Sequence, residues 1–208
     1  MSNFKTLVGC VALLAAPAAA QTAPSATVPK QAVVSEYAAC VLKRSPERVR
    51  ELLSTEVGST QERTIAKSLM TNMTSCANGR MFISMRTGEA RGALAEAVLK
   101  SDAAIGQSAQ LLVGEAPVRP TETAGRKFVM AYARCLVSAA PDKARALIGT
   151  GYGSAEEEAA MMAFDSPLKD CMPLGLSYQI DIPDVRNHVA TALYDRAIAS
   201  SGGGDKNA

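Results

Sequence analysis

Tyr37-Ala38-Ala39-Cys40 and Tyr132-Ala133-Arg134-Cys135 stand 95 residues apart, and the register that aligns them aligns much of the chain with itself. In that register Pro46 meets Pro141, Arg50 meets Arg145, Leu52 meets Leu147 and Thr55 meets Thr150. Further on, Gly58-Ser59 meets Gly153-Ser154, Glu62 meets Glu157, Cys76 meets Cys171 and Arg91 meets Arg186. With Ala95 on Ala190 and Ala97 on Ala192, the 71 ungapped pairs starting at Val33 contain 15 identities. Two matched cysteines in a single register argue against coincidence. The sequence reads as two copies of one unit, residues 33–103 and 128–198, joined by a linker over 104–127.

Each unit carries local signals for helices. Val33, Tyr37, Cys40 and Val41 fall on one stripe of a first helix from Ala32 to Lys43, with a counterpart from Arg126 to Ser138. Ser45-Pro46-Glu47 predicts the start of a second helix: an N-cap, a proline at the first helical position and a favourable charge. Ala140 stands where Ser45 would cap, which predicts a start weaker by ~1 kcal/mol in the second copy. Gly58 and Gly153 suit a left-handed turn, and Ser59-Thr60-Gln61-Glu62 and Ser154-Ala155-Glu156-Glu157 read as capping boxes for a third helix, ending near Met70 and Phe164. After the second cysteine of each unit the apolar period changes to two, in Met81, Ile83 and Met85 and in Leu174, Leu176, Tyr178, Ile180 and Ile182. These predict one short strand per unit, paired across a pseudo-twofold axis so that neither is left with an open edge. A last helix follows over Gly88 to Lys100 and Pro183 to Ala199. The expected fold is mainly α: two pseudo-symmetric disulfide-bonded helical repeats, each with one short strand.

The flanks fit an exported chain. Lys5, the apolar run Leu7 to Ala16, Pro17 and the small residues Ala18-Ala19-Ala20 read as a signal peptide over 1–20, cleaved before Gln21. Residues 21–32 form an N-terminal segment, and 199–208, with Gly202-Gly203-Gly204, a disordered tail. Leu7-Val8-Gly9-Cys10 offers a competing lipoprotein reading, although the apolar run follows Cys10 instead of preceding it. No later run approaches the roughly 20 apolar residues of a membrane span. The expected location is therefore periplasmic or secreted.

Cys40, Cys76, Cys135 and Cys171 remain after the leader, and an oxidising compartment makes two disulfides the default. Both units space their cysteines 36 apart, so the simplest pairing is Cys40 with Cys76 and Cys135 with Cys171. Cross-paired alternatives also suit the pseudo-symmetry.

The pattern Tyr-Ala-x-Cys, Pro-(Glu/Asp), Gly-Ser-x-x-Glu, Cys and Arg91-Gly92-Ala93-Leu94-Ala95-Glu96-Ala97 resembles uncharacterised exported proteins of Gram-negative bacteria. The resemblance spans both copies, although the last motif changes to Arg186-Asn187-His188-Val189-Ala190-Thr191-Ala192. It implies an exported, helical protein and carries over no functional residues.

Composition narrows the functions. Twenty-two basic against 20 acidic residues give a net charge of +2, too balanced for a nucleic-acid surface. Trp is absent, and four Phe and five Tyr offer little stacking area for sugars or single strands. One histidine and no tight Cys/His cluster point away from zinc and haem, and the methionines lack the short repeated spacing of copper sites, so no metal or cofactor is expected.

His188 is the only ordinary base near neutral pH, but no nucleophile motif accompanies it, and it reads as a partly exposed helical residue. Gly149-Thr150-Gly151-Tyr152-Gly153 lacks the Lys-Ser/Thr of a phosphate loop and reads as a turn, and Glu156-Glu157-Glu158 as a solvated helix start. Arg91 and Arg186 are the polar pair of most interest. Each falls early in the last helix, against the local dipole, which calls for an internal partner or a bound anion. They are the candidate ligand-binding residues, and no catalytic residue is assigned.

These features favour a non-enzymatic periplasmic interaction or ligand-binding protein whose partner is an envelope protein or a small ligand, with a concave site at the seam between the copies. Two alternatives are a hydrolase-type enzyme with a carboxylate/arginine site at that seam, marked by a carboxylate of raised pKa in a cleft, and a structural envelope protein.

Overall fold

The computed structural model describes residues 29–77, 84–121, 124–176 and 181–202. The expected signal peptide over 1–20 lies outside them. Ten α-helices follow in chain order: α1 Lys30–Arg44, α2 Pro46–Ser54, α3 Thr60–Asn72, α4 Thr87–Ser101, α5 Ala103–Gln110, α6 Gly125–Ala139, α7 Pro141–Gly149, α8 Ala155–Met162, α9 Asp165–Cys171 and α10 Ile182–Gly202. A single 3-10 turn, Thr74–Ala77, carries Cys76.

Helices α4 and α10 form the centre. α4 is buried without interruption from Ala90 to Glu96, so its sequence shows no one apolar stripe; a helix surrounded by protein has no polar face to alternate with. Small residues allow the close approach: a Cβ on Gly92 would stand 2.5 Å from Asn187 Cβ and from its backbone oxygen. Helices α1, α2 and α3 pack around α4, and α6 and α7 around α10. The apolar core runs through all of them, from Val41, Leu52 and Ile65 to Leu136, Leu147 and Leu193.

Matched positions make matched bonds. Disulfides join Cys40 to Cys76 and Cys135 to Cys171, the pairing expected from the equal spacing. The Tyr37 hydroxyl donates to the carbonyls of Leu69 and Met70, and Tyr132 donates to that of Leu168. Thr55 and Thr150 each donate to the carbonyl three residues back, at 2.6 and 2.7 Å. Ser59 and Ser154 each accept the backbone N–H three residues on, while the carboxylates of Glu62 and Glu157 accept from Gly58 and Gly153. Those glycines have φ of +86° and +69°, the left-handed region that a Cβ disfavours.

Several expectations need correction. No strand occurs among the described residues. Met81, Ile83, Tyr178 and Ile180 lie outside them; Met85 belongs to no regular element, Leu174 sits exposed in a turn, and Ile182 opens α10. Ser45 does not cap α2: its backbone, at φ −144° and ψ 57°, continues from α1 and makes no side-chain bond, and Ala140 adopts the same angles. The expected difference between the two helix starts therefore has no basis. The third helix of the second half ends at Met162, close to the expected Phe164, but an unforeseen short helix, α9, follows it; the two are not one helix because Pro167 lacks an N–H and its ring would strike the carbonyl of Ala163. Residues 199–202 are helical, extending α10 into the expected tail, and the linker begins with α5. Among the described residues no helix is long and apolar enough to cross a membrane.

Candidate functional site

Arg91 and Arg186 are each the fifth residue of their helix, and both are buried. Their guanidinium groups reach the C-terminal ends of α2 and α7, where helix carbonyls left without intrahelical partners attract a cation. Arg91 donates to the carbonyls of Leu52 and Leu53 at 2.9 and 2.6 Å and to the Thr55 hydroxyl at 3.2 Å. Arg186 donates to the carbonyls of Ile148 and Thr150 at 3.2 and 2.8 Å and to the Thr150 hydroxyl at 3.0 Å.

The two arginines differ in their anions. Arg186 makes two bonds to Glu96, at 3.0 and 2.8 Å, and one to Glu157 at 2.7 Å, and its guanidinium lies 3.9 Å from the Tyr152 ring centre. Burial alone would lower its pKa, but the Glu96 bonds outweigh that and raise it. Arg91 comes only within 3.6 Å of Glu62 and 4.0 Å of Asp195, and its Nε has no partner; burial dominates and lowers its pKa. The cause is one matched pair. Glu96, which serves Arg186, corresponds to Thr191, whose hydroxyl bonds back to the Asn187 carbonyl on its own helix. Both arginines are thus held by protein groups.

Glu62 and Glu96 join the two halves of the chain. Glu62, fully buried in the first, accepts two bonds from Arg126 of the second at 2.7 and 3.0 Å. Glu96 of α4 accepts from Arg186 and from the Tyr152 hydroxyl. Glu157, read from sequence as solvated, is buried against Arg186. The offset of 95 already marked Glu62 and Glu157, but their capping role hid their second use as counter-ions.

An open cleft of about 640 Å³ lies at this seam. The N-terminal ends of α3, α4, α6 and α10 all border it, through Ser59, Thr87, Arg126 and Asp184. Its cations are Arg63, Arg86, Arg126 and Lys127, against the carboxylates Glu56, Glu89 and Asp184. Two of these charges are already matched: Arg126 is bonded to Glu62, and Glu89 to Lys30 at 2.8 Å. Burial would raise the Glu89 pKa, yet its Lys30 and Arg86 backbone bonds hold it below the usual range. Among the described residues no side chain caps helix α6 and its first turn holds no acid, a helix start whose dipole favours an anion.

His188 forms part of the wall, with its Cε1 3.5 Å from where a Cβ on Gly88 would stand. Burial lowers its pKa, and neighbouring Arg126 adds to this against the opposing fields of Asp184 and Glu62. It is neutral at pH 7. His188 and Asp184 also line a second, mostly apolar pocket of about 180 Å³. Arg91 and Arg186 line neither cavity. Among the described residues no group of three or more His, Cys, Asp or Glu is placed to hold a metal.

No family model, curated protein or solved structure matches the chain.

Arg63, Arg86, Lys127 and Asp184 carried no signal in the sequence. Charged residues at helix starts ordinarily face solvent, and only the packing of α6 and α10 against the first unit brings them together.

Proposed function

We propose that the protein is an exported, non-enzymatic binding protein that holds a small anion in the cleft between two duplicated helical units. The observation that carries this reading is the convergence of four helix N-termini on one cleft whose cations outnumber its carboxylates. Two disulfides support an oxidising compartment, and residues 1–20 supply the address as a signal peptide to the periplasm. The bonds repeated at an offset of 95 support descent from one duplicated unit. An acid/base enzyme would need a carboxylate of raised pKa in the cleft; the carboxylate raised by burial, Asp195, lines neither seam cavity.

The test is calorimetric titration with 3-phenylpropanoate and with inorganic phosphate, using wild type and an Arg86→Gln/Lys127→Gln variant. Neither side chain makes an ion pair among the described residues, and circular dichroism of the variant checks that it folds. Saturable binding of either anion by wild type, weakened at least tenfold in the variant, is expected. Failure of phosphate and of every carboxylate probe to bind, or equal affinity in the variant, would refute the reading.

A further inference from the structure

The two cavities at the seam share a wall, and the charge changes sign across it. His188 and Asp184 line both the cleft and the 180 Å³ pocket. The pocket is otherwise walled by Phe128, Tyr132, Leu136, Met172 and Val185, with Asp181 beside Asp184. Its volume slightly exceeds the ~150 Å³ known to take a benzene ring. The Tyr132 ring is fixed by its hydroxyl bond to Leu168, and burial pushes its pKa up to about 12, so that wall stays neutral. A ligand filling both cavities meets three environments in order: an apolar pocket sized for one ring with Asp181 on its wall, a junction with the Asp184 carboxylate and the His188 imidazole, and a basic cleft.

A simple aryl carboxylate would set its chain beside Asp184 with nothing to offset that charge. A ligand with an ammonium at the junction meets it directly. Resting on the anion-site reading above, we propose that the ligand is a zwitterion: an α-ammonium group beside Asp184, a ring-sized apolar side chain in the Phe128–Val185 pocket, and a carboxylate among Arg86, Arg126 and Lys127. This is the chemistry of a large apolar α-amino acid, either free or as the first residue of a short peptide. Occupying both cavities at once is what distinguishes it from an ion held by the cleft alone.

The experiment is calorimetric titration of the oxidised wild-type protein at pH 7 with L-phenylalanine, Phe-Gly-Gly, 3-phenylpropanoate, 2-phenylethylamine and glycine. L-Phenylalanine or Phe-Gly-Gly should bind at least tenfold tighter than each of the other three, and whichever of the two binds tighter identifies the free amino acid or the peptide as the source. Asp184→Asn should weaken that ligand tenfold or more and leave 3-phenylpropanoate unchanged or tighter. If 3-phenylpropanoate matches L-phenylalanine, the zwitterion inference fails and the anion site stands. Equal binding of 2-phenylethylamine or of glycine also overturns it, and if neither these ligands nor phosphate binds, both readings fall. The comparison among ligands is made on wild type, so it holds even if the variant does not fold.

Discussion

Gly92 of α4 lies against the backbone of Asn187 of α10, and these two residues are themselves 95 positions apart. Two positions matched by the offset of 95 therefore meet at the crossing of the central helices. A Cβ at Gly92 would stand 2.5 Å from Asn187 atoms, one of them a backbone oxygen that cannot turn aside. Gly92→Ala should gain up to ~1 kcal/mol of helix propensity and lose about 1–3 kcal/mol to overpacking, for a net cost of up to about 2 kcal/mol. At Gly88 the same Cβ would find ordinary contacts at 3.5 Å or more, so Gly88→Ala should be neutral or stabilising. Urea denaturation of both variants checks this, and equal midpoints would contradict the close crossing.

Arg186→Met and Arg91→Met should separate in cost. The first leaves Glu157 buried without its cation and Glu96 with Lys100 alone, and breaking a buried pair from one side costs about 3–5 kcal/mol. The second removes bonds to Leu52 and Leu53, while Glu62 keeps Arg126, which points to about 1–3 kcal/mol. Equilibrium unfolding of the oxidised proteins would decide, and a larger loss at Arg91 would refute the asymmetry.

Acid should destabilise the fold in two stages. His188 has a folded pKa below its unfolded value of about 6.5 because it is buried. The unfolded chain then binds the proton first, and stability falls as pH drops below that value. For Glu96, burial opposes ionisation but the Arg186 and Lys100 contacts outweigh it, leaving the folded pKa depressed. Its contribution is present above the unfolded pKa of about 4.3 and is lost as pH falls through the folded value. Urea midpoints from pH 7.5 to 3 should show both slopes, His188→Asn flattening the upper and Glu96→Gln the lower. An unchanged upper slope in His188→Asn would count against the first assignment.

Each disulfide closes a loop of 36 residues. On the chain-entropy relation, replacing either pair by alanine should cost about 4 kcal/mol. Thermal melts of Cys40→Ala/Cys76→Ala and Cys135→Ala/Cys171→Ala provide the measurement, and a loss under 1 kcal/mol in both would contradict the relation here.

The sequence by itself marked most of the helices and the glycine turns between them, and favoured the cysteine pairing that the structure holds. These features depend on residues near in the chain, such as Gly58 with Ser59 and Glu62, or on a spacing repeated twice. It drew attention to Arg91 and Arg186 because both offend a local rule at matched positions, and the structure supplies the reason: each guanidinium reaches the end of another helix. The period-two apolar runs misled, since Leu174 and Met85 alternate in hydrophobicity without a neighbouring strand to pair with among the described residues. What only the tertiary structure decided is the seam. Glu62 with Arg126, Glu96 with Arg186, and the cleft bounded by Arg86, Lys127 and Asp184 join residues 41 to 98 positions apart. A charge on a helix surface costs little in any packing, so nothing local marks which charges will face one another. That was settled by the crossing of α4 and α10, where a glycine lets the two backbones touch.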